Sequence, residues 1–315
     1  MKVLVTGAAG FIGSHTVDQL LAAGHTVTGV DNLRTGRLEN LRRAKQSAQF
    51  RFWQTDLLES RQLDRIVVDA ACEAIIHLAA MVGVQESIAD PALCDAINVR
   101  GTQIVLETAR RRRVPRVVFA SSAAVYGEPV SLPVSEKAPL SPPNPYGESK
   151  LAAEILLFAG SRGGGPTVVC LRYFNVYGPR QDPTSPYSGV ISVFQHRLST
   201  GGTATIYGDG EQTRDFIFVG DVARANLIAA TRRGLQSAAL NICTGKATSL
   251  NELFAAIHTH YPAAPAPAYA PARRGEIRHS RGDPALARDI LDFSAATTVE
   301  SGLGSLLADH SPAET

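Results

Sequence analysis

Short apolar runs rich in β-branched residues alternate with helical stretches through the first half of the chain. The runs lie at residues 2–6, 26–30, 50–54, 74–80, 116–120 and 167–172. Between the first two runs, Val17, Leu20 and Leu21 recur on one side of a helical pattern. Apolar strands separated by helices are typical of a parallel sheet that is covered on both faces. The pattern predicts an α/β fold built on a doubly wound parallel sheet of the Rossmann type.

The second half of the chain has a different character. Prolines and glycines become frequent, and the predicted elements shorten to a helix, a strand, a helix and a strand over residues 190–198, 215–219, 221–232 and 239–242. The tract 262–271, rich in proline and alanine, predicts a surface loop, and the tail after Ser294 predicts partial disorder. We therefore expect a Rossmann domain over residues 1–178, with returns from about 213–242, which the glycine turn described next makes the cofactor-binding domain, and a smaller α+β substrate-binding domain over 179–315.

The turn between the first strand and the first helix is rich in glycine. Gly7, Gly10 and Gly13 permit a tight turn and a close approach of the backbone to a ligand, and the helix N-terminus offers free N–H groups to a pyrophosphate. A glycine turn alone could serve only backbone geometry. Here Asp31 ends the second strand, where its carboxylate can accept hydrogen bonds from both ribose hydroxyls and repel a 2′-phosphate. The combination predicts NAD in preference to NADP.

The predicted strands also end in small or polar residues. Ligands of a parallel, doubly wound sheet bind at the carboxyl ends of its strands. We therefore expect the strand ends to converge on one crevice; they are Gly7, Asp31, Asp56, Ala79, Ser122 and Asn175.

Tyr146 and Lys150 stand four residues apart at the start of a predicted helix, so their side chains share one face. A lysine cation favours the phenolate, which predicts a lowered tyrosine pKa and a usable base near neutral pH. Such a pair often lies on a helix surface without a function. Ser122, at the end of the fifth predicted strand, adds a hydroxyl that can donate to the same oxygen. The three residues form a metal-free set for alcohol oxidation with a nicotinamide.

Composition and charge narrow the possible partners. The chain has 315 residues, 44% hydrophobic and 19% charged, and a net charge of +2, which favours neither nucleic acid nor an anionic membrane. Residues 95–113 predict one long helix, and the arginines at 110–113 suit its C-terminus. We find no apolar run that could span a bilayer and no signal peptide, and so we expect a cytoplasmic protein.

The four cysteines are Cys72, Cys94, Cys170 and Cys243. They lie far apart in the sequence, without the spacing of a metal site, and no local motif supports a cysteine nucleophile. We expect them to be small buried residues in a reducing compartment.

The sequence resembles the extended short-chain dehydrogenase/reductases, and among them the nucleotide-sugar epimerases of the UDP-glucose 4-epimerase type. The matching segments run through most of the chain and cover residues 6–15, 30–33, 77–80, 119–127, 145–150, 171–180, 207–210 and 213–217.

The resemblance implies a role for each matching residue. It assigns the pyrophosphate to Gly7, Gly10, Phe11, Ile12 and Gly13, and the adenosine to Asp31, Asn32, Asp56 and Leu57. It assigns the rest of the cofactor to Leu78, Ala79, Ala80, Asn98, Tyr146, Lys150 and Tyr173. It assigns the substrate to Ser122, Tyr146, Asn175, Val190, Arg214 and Arg273, the two arginines suiting a diphosphate.

The chain departs from family patterns at three places. Dehydratases and glucuronate decarboxylases of this group carry an acidic residue after the serine or threonine of the fifth strand, whereas Ala123 and Ala124 stand here. Elimination needs that additional acid or base, so the alanines favour simple redox chemistry at the sugar. Val82 replaces a lysine of some epimerases, and Ser280 replaces a bulky tyrosine, which would leave room for a 2-acetamido group.

We therefore expect an enzyme that inverts C4 of a UDP-hexose through a transient 4-keto sugar, with NAD tightly bound. The resemblance also implies a homodimer in which the 95–113 helix and the helix after Tyr146 pack against their copies. Three alternatives stay open: another nucleotide-sugar epimerase acting on a uronate or heptose, an oxidoreductase that releases NADH, and a catalytically silent NAD-binding sensor.

Overall fold

The computed structural model of the protein describes residues 1–182, 189–272 and 277–308. Its strands are β1 (Lys2–Thr6), β2 (Thr26–Asp31), β3 (Phe50–Gln54), β4 (Ala74–His77), β5 (Arg116–Ser122), β6 (Thr167–Tyr173), β7 (Asn175–Tyr177), β8 (Thr205–Tyr207), β9 (Thr213–Arg214), β10 (Phe216–Phe218), β11 (Ala238–Ile242), β12 (Thr248–Ser249) and β13 (Ala268–Ala270).

The helices alternate with these strands in the first half of the chain. The α-helices are α1 (Phe11–Ala22), α2 (Ser60–Ala70), α3 (Val84–Ala89), α4 (Pro91–Asp95), α5 (Gly101–Arg111), α6 (Pro145–Ser161), α7 (Val190–Ser199), α8 (Val219–Thr231), α9 (Leu250–His258), α10 (Ala285–Leu291) and α11 (Val299–Ala308). Single 3-10 turns cover Leu38–Leu41, Ala44–Gln46 and Ala123–Val125, and a π-helical turn covers Ala96–Arg100.

Seven parallel strands form the central sheet, in the order β11-β6-β5-β4-β1-β2-β3. Six of them follow the order of a dinucleotide-binding sheet, and β11 extends it beyond β6. The predicted doubly wound parallel sheet is therefore confirmed. The strand order reverses between β1 and β4, and at such a reversal the connecting loops separate and leave a crevice.

The two faces of the sheet carry separate apolar layers. Val3 and Val5 of β1 face the layer of α1, α8 and α10, whereas Leu4 faces the layer of α2, α5 and α6. All three side chains are fully buried. Burial on both faces explains why the strands read as continuous apolar runs and not as alternating patterns.

A third apolar cluster lies in the second half of the chain. Phe194 of α7, Leu253 of α9 and Leu303 of α11 pack there with Tyr177. Two-stranded pairings surround it, joining β10 to β7, β12 to β9 and β13 to β8. Each pairing links segments that are distant in sequence.

Three predicted elements differ from the structure. The helix predicted over residues 95–113 starts earlier, because Asp90 accepts a hydrogen bond from the Leu93 N–H (3.0 Å) and Pro91 follows as the first helical residue. The same helix contains the π-helical turn at Ala96–Arg100, which no side-chain pattern indicates.

The other two differences lie in the second half. The tract 262–271 is not all loop, because Ala268–Ala270 pair in parallel with Thr205–Tyr207. The tail after Ser294 forms α11 over Val299–Ala308, whose Leu303 and Leu306 are buried in the third cluster, and residues 309–315 of the tail lie outside the described residues. Gly302 permits this contact, since a Cβ there would lie 2.1 Å from the Tyr177 hydroxyl oxygen.

The predicted burial of the four cysteines is confirmed, and all four are free thiols. The described residues bring together no cluster of three or more His, Cys, Asp or Glu side chains that could hold a metal ion. Over the same residues, no helix is long and apolar enough to cross a membrane.

Candidate active site

A crevice of about 870 Å³ opens at the carboxyl ends of the central strands. Of the residues assigned to cofactor or substrate, those that line it are Gly7, Gly10, Phe11, Ile12, Gly13, Asp31, Asn32, Asp56, Leu57, Leu78, Ala79, Ala80, Ser122, Tyr146, Lys150, Tyr173, Asn175 and Val190. A depression of similar size beside Trp53 and Arg65 is more open and contains none of them. The expected convergence of strand ends is thus present.

The glycine turn has the shape that a pyrophosphate needs. Gly7 adopts a left-handed φ of 68°, and a Cβ there would lie 2.7 Å from the Ala79 nitrogen. A Cβ on Gly13 would lie 1.9 Å from the Gly7 carbonyl oxygen. Helix α1 then begins without a side-chain cap on its first N–H groups. The backbone of the turn lies close to the crevice, and the first N–H groups of α1 have no side-chain cap. The turn can therefore bind the pyrophosphate of a dinucleotide.

Asp31 and its neighbours form the adenosine end. The buried Asp31 carboxylate accepts hydrogen bonds from the N–H groups of Ala9 (3.0 Å) and Leu33 (2.8 Å). Burial raises the pKa of Asp31, and these two N–H groups oppose that rise. The Asn32 side chain donates to the Asp56 carboxylate (2.8 Å), so the two residues expected at the ribose and the adenine contact each other.

The catalytic candidates meet where α6 begins. Asn144 caps the helix by accepting from the Gly147 N–H (3.0 Å), and Pro145 is its first residue. This start places Tyr146 and Lys150 on one face, with the Lys150 Nζ 5.9 Å from the centre of the Tyr146 ring. The Ser122 side chain at the end of β5 lies next to the Tyr146 hydroxyl, where its hydroxyl favours the phenolate. All three predicted catalytic residues therefore share one end of the crevice.

The pKa values at this point differ in part from the expectation. Lys150 is buried and donates to the Ala120 carbonyl oxygen (2.9 Å), and burial lowers its pKa to about 8. The prediction that the Tyr146 pKa is lowered is wrong. Burial raises the pKa of Tyr146, and the Ser122 hydroxyl only opposes that rise. Proximity to a lysine does not outweigh desolvation of the phenolate here.

Asn98 lies behind the crevice wall and not on it. Within the π-helical turn, its buried amide accepts from the Met81 N–H (2.8 Å) and donates to the Met81 carbonyl (3.0 Å) and the Ser149 hydroxyl (2.9 Å). Met81 lines the crevice. Asn98 thus fixes a lining segment to the helix that carries the catalytic residues.

Only some of the residues assigned to the substrate line the crevice. Asn175 and Val190 line the crevice, whereas Arg214 lies outside the lining, with its guanidinium donating to the carbonyls of Thr213 (2.8 Å) and Arg278 (3.2 Å). Arg273 falls outside the described residues. Tyr173 lines the crevice and donates its hydroxyl proton to Asn226 (2.6 Å).

Sequence reasoning missed two ion pairs at the crevice. Arg34 pairs with Glu86 and Arg37 pairs with Asp182, and all four residues line the crevice. The partners lie 52 and 145 residues apart in sequence, so no local pattern could indicate them.

Residues 3–243 match the NAD dependent epimerase/dehydratase family. The chain belongs to this family. With the fit of the glycine turn and Asp31, membership identifies an NAD-dependent enzyme, and NAD is its cofactor. The predicted relation to the extended short-chain dehydrogenase/reductases is confirmed.

Known relatives match over nearly their whole length. The chain is similar to UDP-glucose 4-epimerase of Mycolicibacterium smegmatis, with 40% identity over 304 residues and 96% of each chain covered. It is similar to the structure of UDP-glucose 4-epimerase of Thermotoga maritima with UDP-glucose, with a TM-score of 0.92, 37% identity and 98% of each chain covered. It is also similar to UDP-N-acetylglucosamine 4-epimerase of Methanobrevibacter ruminantium in complex with UDP-N-acetylmuramic acid, with a TM-score of 0.90, 33% identity and the same coverage.

Proposed function

We propose that the protein inverts C4 of a UDP-hexose and interconverts UDP-glucose and UDP-galactose through a 4-keto sugar. The observation that carries the proposal is that Ser122, Tyr146 and Lys150 line the same crevice as the glycine turn, and that every described carboxylate of this crevice already has a hydrogen-bond or ion-pair partner. Named relatives that act on UDP-glucose support the choice of sugar nucleotide.

The carboxylates decide between epimerisation and elimination. Those among the described lining residues are Asp31, Asp56, Glu86 and Asp182. Asp31 accepts from backbone N–H groups, Asp56 from Asn32, and the other two pair with arginines. Ala123 and Ala124 follow Ser122, and the Ala124 N–H donates to the Ser122 hydroxyl (3.2 Å). Elimination of water needs a further acid or base at the sugar, and these residues offer none.

Side chains of the protein move the proton of the sugar 4-hydroxyl. Tyr146 as phenolate accepts the proton of the sugar 4-hydroxyl, and Ser122 donates a hydrogen bond to the same oxygen. Because burial raises the Tyr146 pKa, the phenolate needs a nearby cation, which the Lys150 ammonium supplies below about pH 8. Bound NAD supplies a hydride acceptor and donor for C4. The keto sugar turns about its diphosphate link, which would present the opposite face of C4 to the hydride donor, while Tyr146 returns the proton to the 4-oxygen.

The substrate side follows from the same proposal. Asn175 and Val190 on the crevice wall contact the sugar nucleotide, and Arg214 and Arg273 neutralise its diphosphate. Ser280 is half-buried, donates its N–H to the Thr213 carbonyl (3.1 Å) and is not among the crevice lining. Acceptance of N-acetylhexosamines therefore stays a prediction, which the similarity to a UDP-N-acetylglucosamine 4-epimerase supports.

The test is turnover of UDP-galactose by the purified protein without added NAD. We expect UDP-glucose to form with no net NADH, read from absorbance at the reduced-nicotinamide band. Steady NADH accumulation on adding NAD would indicate the oxidoreductase instead, and binding without turnover would indicate the sensor. A panel with UDP-N-acetylglucosamine, UDP-glucuronate and a nucleotide-heptose separates the hexose epimerase from its uronate and heptose alternatives.

We also propose that the protein works as a homodimer in the cytoplasm. Ala152, Ile155 and Ala159 form an exposed small apolar stripe on α6, beside α5, and Ile155 is 62% exposed. Small residues let two helices approach closely, so a copy of the same pair of helices fits there. The four buried free thiols suit a reducing compartment. Ile155→Glu should convert the dimer to a monomer in sedimentation analysis, whereas Val68→Glu, on the exposed face of α2, should not.

A further inference from the structure

Three residues of α6 contact three consecutive residues at the end of β5. Tyr146 lies next to Ser122, Lys150 donates to the Ala120 carbonyl, and Glu154 accepts from the Ser121 hydroxyl. Residues 146, 150 and 154 recur every fourth position and share one helical face. The proposed mechanism uses the first two contacts and leaves the third, Glu154 with Ser121, without a role.

Glu154 belongs to a buried ion pair between α6 and β6, and its hydrogen bond from Ser121 adds β5. Arg172 of β6 binds the Glu154 carboxylate through both Nε (2.9 Å) and a terminal nitrogen (2.6 Å). The two side chains are only 5% and 3% exposed, respectively. Arg172 precedes Tyr173, which lines the crevice. The pair therefore joins the helix of Tyr146 and Lys150 to the strand of Ser122 and to the next strand of the sheet.

The network continues to the loop after Ser122. Arg172 donates to the Tyr126 hydroxyl (2.9 Å), which in turn donates to the Asn241 side chain (2.6 Å) on β11. The bidentate pair and its hydrogen bonds thus leave Glu154 fully partnered. Replacing a buried ion pair by apolar residues of similar volume is often neutral for stability, whereas removing one partner is strongly destabilising. Stability alone therefore does not account for this pair.

Glu154 also acts on the charge of Lys150. The charged and titratable groups around that ammonium are Tyr146 and Glu154 on its own helix, Cys94 from α4 and His77 from β4. Burial keeps His77 neutral and lowers its pKa to about 3. Burial also lowers the Lys150 pKa, and the negative charge of Glu154 opposes that fall.

We propose that Glu154, bound to Arg172 and Ser121, is a positioning residue that holds the end of β5 and helix α6 so that Ser122, Tyr146 and Lys150 meet. Its carboxylate also helps to keep Lys150 charged at neutral pH. The inference rests on the proposed roles of Tyr146 and Lys150 in the reaction.

Glu154→Gln, assayed as the NAD-bound enzyme, tests the proposal. We expect kcat to fall by about 10-fold or more with KM nearly unchanged, because the reacting groups are displaced while the substrate wall is intact. The alkaline limb of the kcat profile should move down by about one pH unit. Glu154→Asp, which keeps the charge, should restore the position of that limb in part.

Two further variants separate positioning from stability. In Glu154→Leu/Arg172→Met, the unfolding midpoint should return close to that of the native protein while kcat stays low by about 10-fold. Asp221→Asn is the matched control, since Asp221 is a buried carboxylate that pairs with Arg224 (2.8 Å) on α8 and does not line the crevice. It should lower stability and leave kcat and its pH profile unchanged.

The outcomes are distinct. Native kcat and an unshifted pH profile in the folded apolar double variant would overturn the positioning role. The positioning role would also be overturned if the loss of activity in Glu154→Gln only matched the fraction of protein that is unfolded. The Lys150 pKa, read by ¹⁵N NMR of labelled lysine in the NAD-bound enzyme, should fall in Glu154→Gln even if the sugar is wrongly identified. If the native enzyme did not turn over any UDP-hexose, the proposed function itself would be wrong.

Discussion

The two walls of the crevice are built in different ways. The cofactor wall consists of the ends of β1, β2, β4 and β5 with the turns that follow them, so Gly7, Asp31, Ala79 and Ser122 each lie at, or within two residues after, the end of a strand that the sequence pattern predicts. The substrate wall depends on short pairings between distant segments. Asn175 is held beside Phe216 by the β7–β10 pairing, and Arg214 lies beside Thr248 in β9–β12.

This difference suggests that cofactor binding depends on the core of the fold, whereas the choice of sugar depends on elements that can change without disturbing the fold. The cofactor wall is part of a seven-stranded sheet with apolar layers on both faces, so its geometry is held by most of the core. The substrate wall rests on two- and three-residue strands, which change with fewer consequences for the fold. We therefore expect substitutions on the first wall to remove NAD, and those on the second to alter which sugar is accepted.

The largest effect should come where the walls meet, at Tyr146. Tyr146→Phe removes the proton acceptor and should lower kcat by about 1,000-fold or more, with bound NAD retained in the purified protein. Tyr269→Phe is the control, because its exposed hydroxyl contacts Asn251 and lies outside the crevice lining. Substantial turnover by Tyr146→Phe would contradict the role given to the phenol.

A substitution confined to the cofactor wall should come next. In Gly13→Ala, the new Cβ would lie 1.9 Å from the Gly7 carbonyl oxygen, so the turn must open. We expect NAD affinity to fall by about 100-fold, measured by titration of the NAD-free protein. Gly304→Ala adds a Cβ with nothing within 4 Å and should leave NAD binding unchanged. Native affinity in Gly13→Ala would show that the turn is not the pyrophosphate site.

Next to the substrate wall but outside the crevice lining, Arg214→Met should raise KM for UDP-galactose by about 10-fold with NAD content unchanged, since one proposed diphosphate cation is lost. Arg112→Met removes an exposed arginine that pairs with Asp64 and serves as the control. If Arg214→Met lost its bound NAD, this would contradict the assignment of Arg214 to the substrate, because the arginine would then act on the cofactor.

The smallest effect concerns pH. The Lys150 pKa lies near 8, below the usual lysine value, so the ammonium is present below that pH and is lost as pH rises through it. Turnover should therefore be about halved near pH 8 relative to pH 7 and continue to fall above it. A flat kcat profile up to pH 10, measured on protein shown to stay folded, would contradict a charged Lys150 in the reaction.

Sequence alone predicts the two walls unequally. The sheet, the glycine turn, Asp31 and the Ser122–Tyr146–Lys150 set follow from local patterns, because apolar runs and turn residues report directly on strands and their ends. The pairing of Ala268–Ala270 with β8 escaped prediction, since this Ala-Tyr-Ala strand is too short for an alternating apolar pattern and is bounded by Pro267 and Pro271.

The state of the catalytic groups also escaped prediction. Spacing predicts that Lys150 stands beside Tyr146, but the pKa of Tyr146 depends on burial by the whole fold. Asn98 was placed at the cofactor by resemblance, whereas the π-helical turn directs its amide to Met81 and Ser149. Such features depend on long-range packing and become visible only in three dimensions.

The central claim is that C4 of the sugar is oxidised and reduced within one active site. UDP-galactose carrying deuterium at C4 tests it most directly, with the product followed by mass spectrometry and NMR. We predict UDP-glucose that keeps the deuterium at C4, with no net NADH and no label lost to solvent. Loss of the label, or its replacement by solvent hydrogen, would contradict the account.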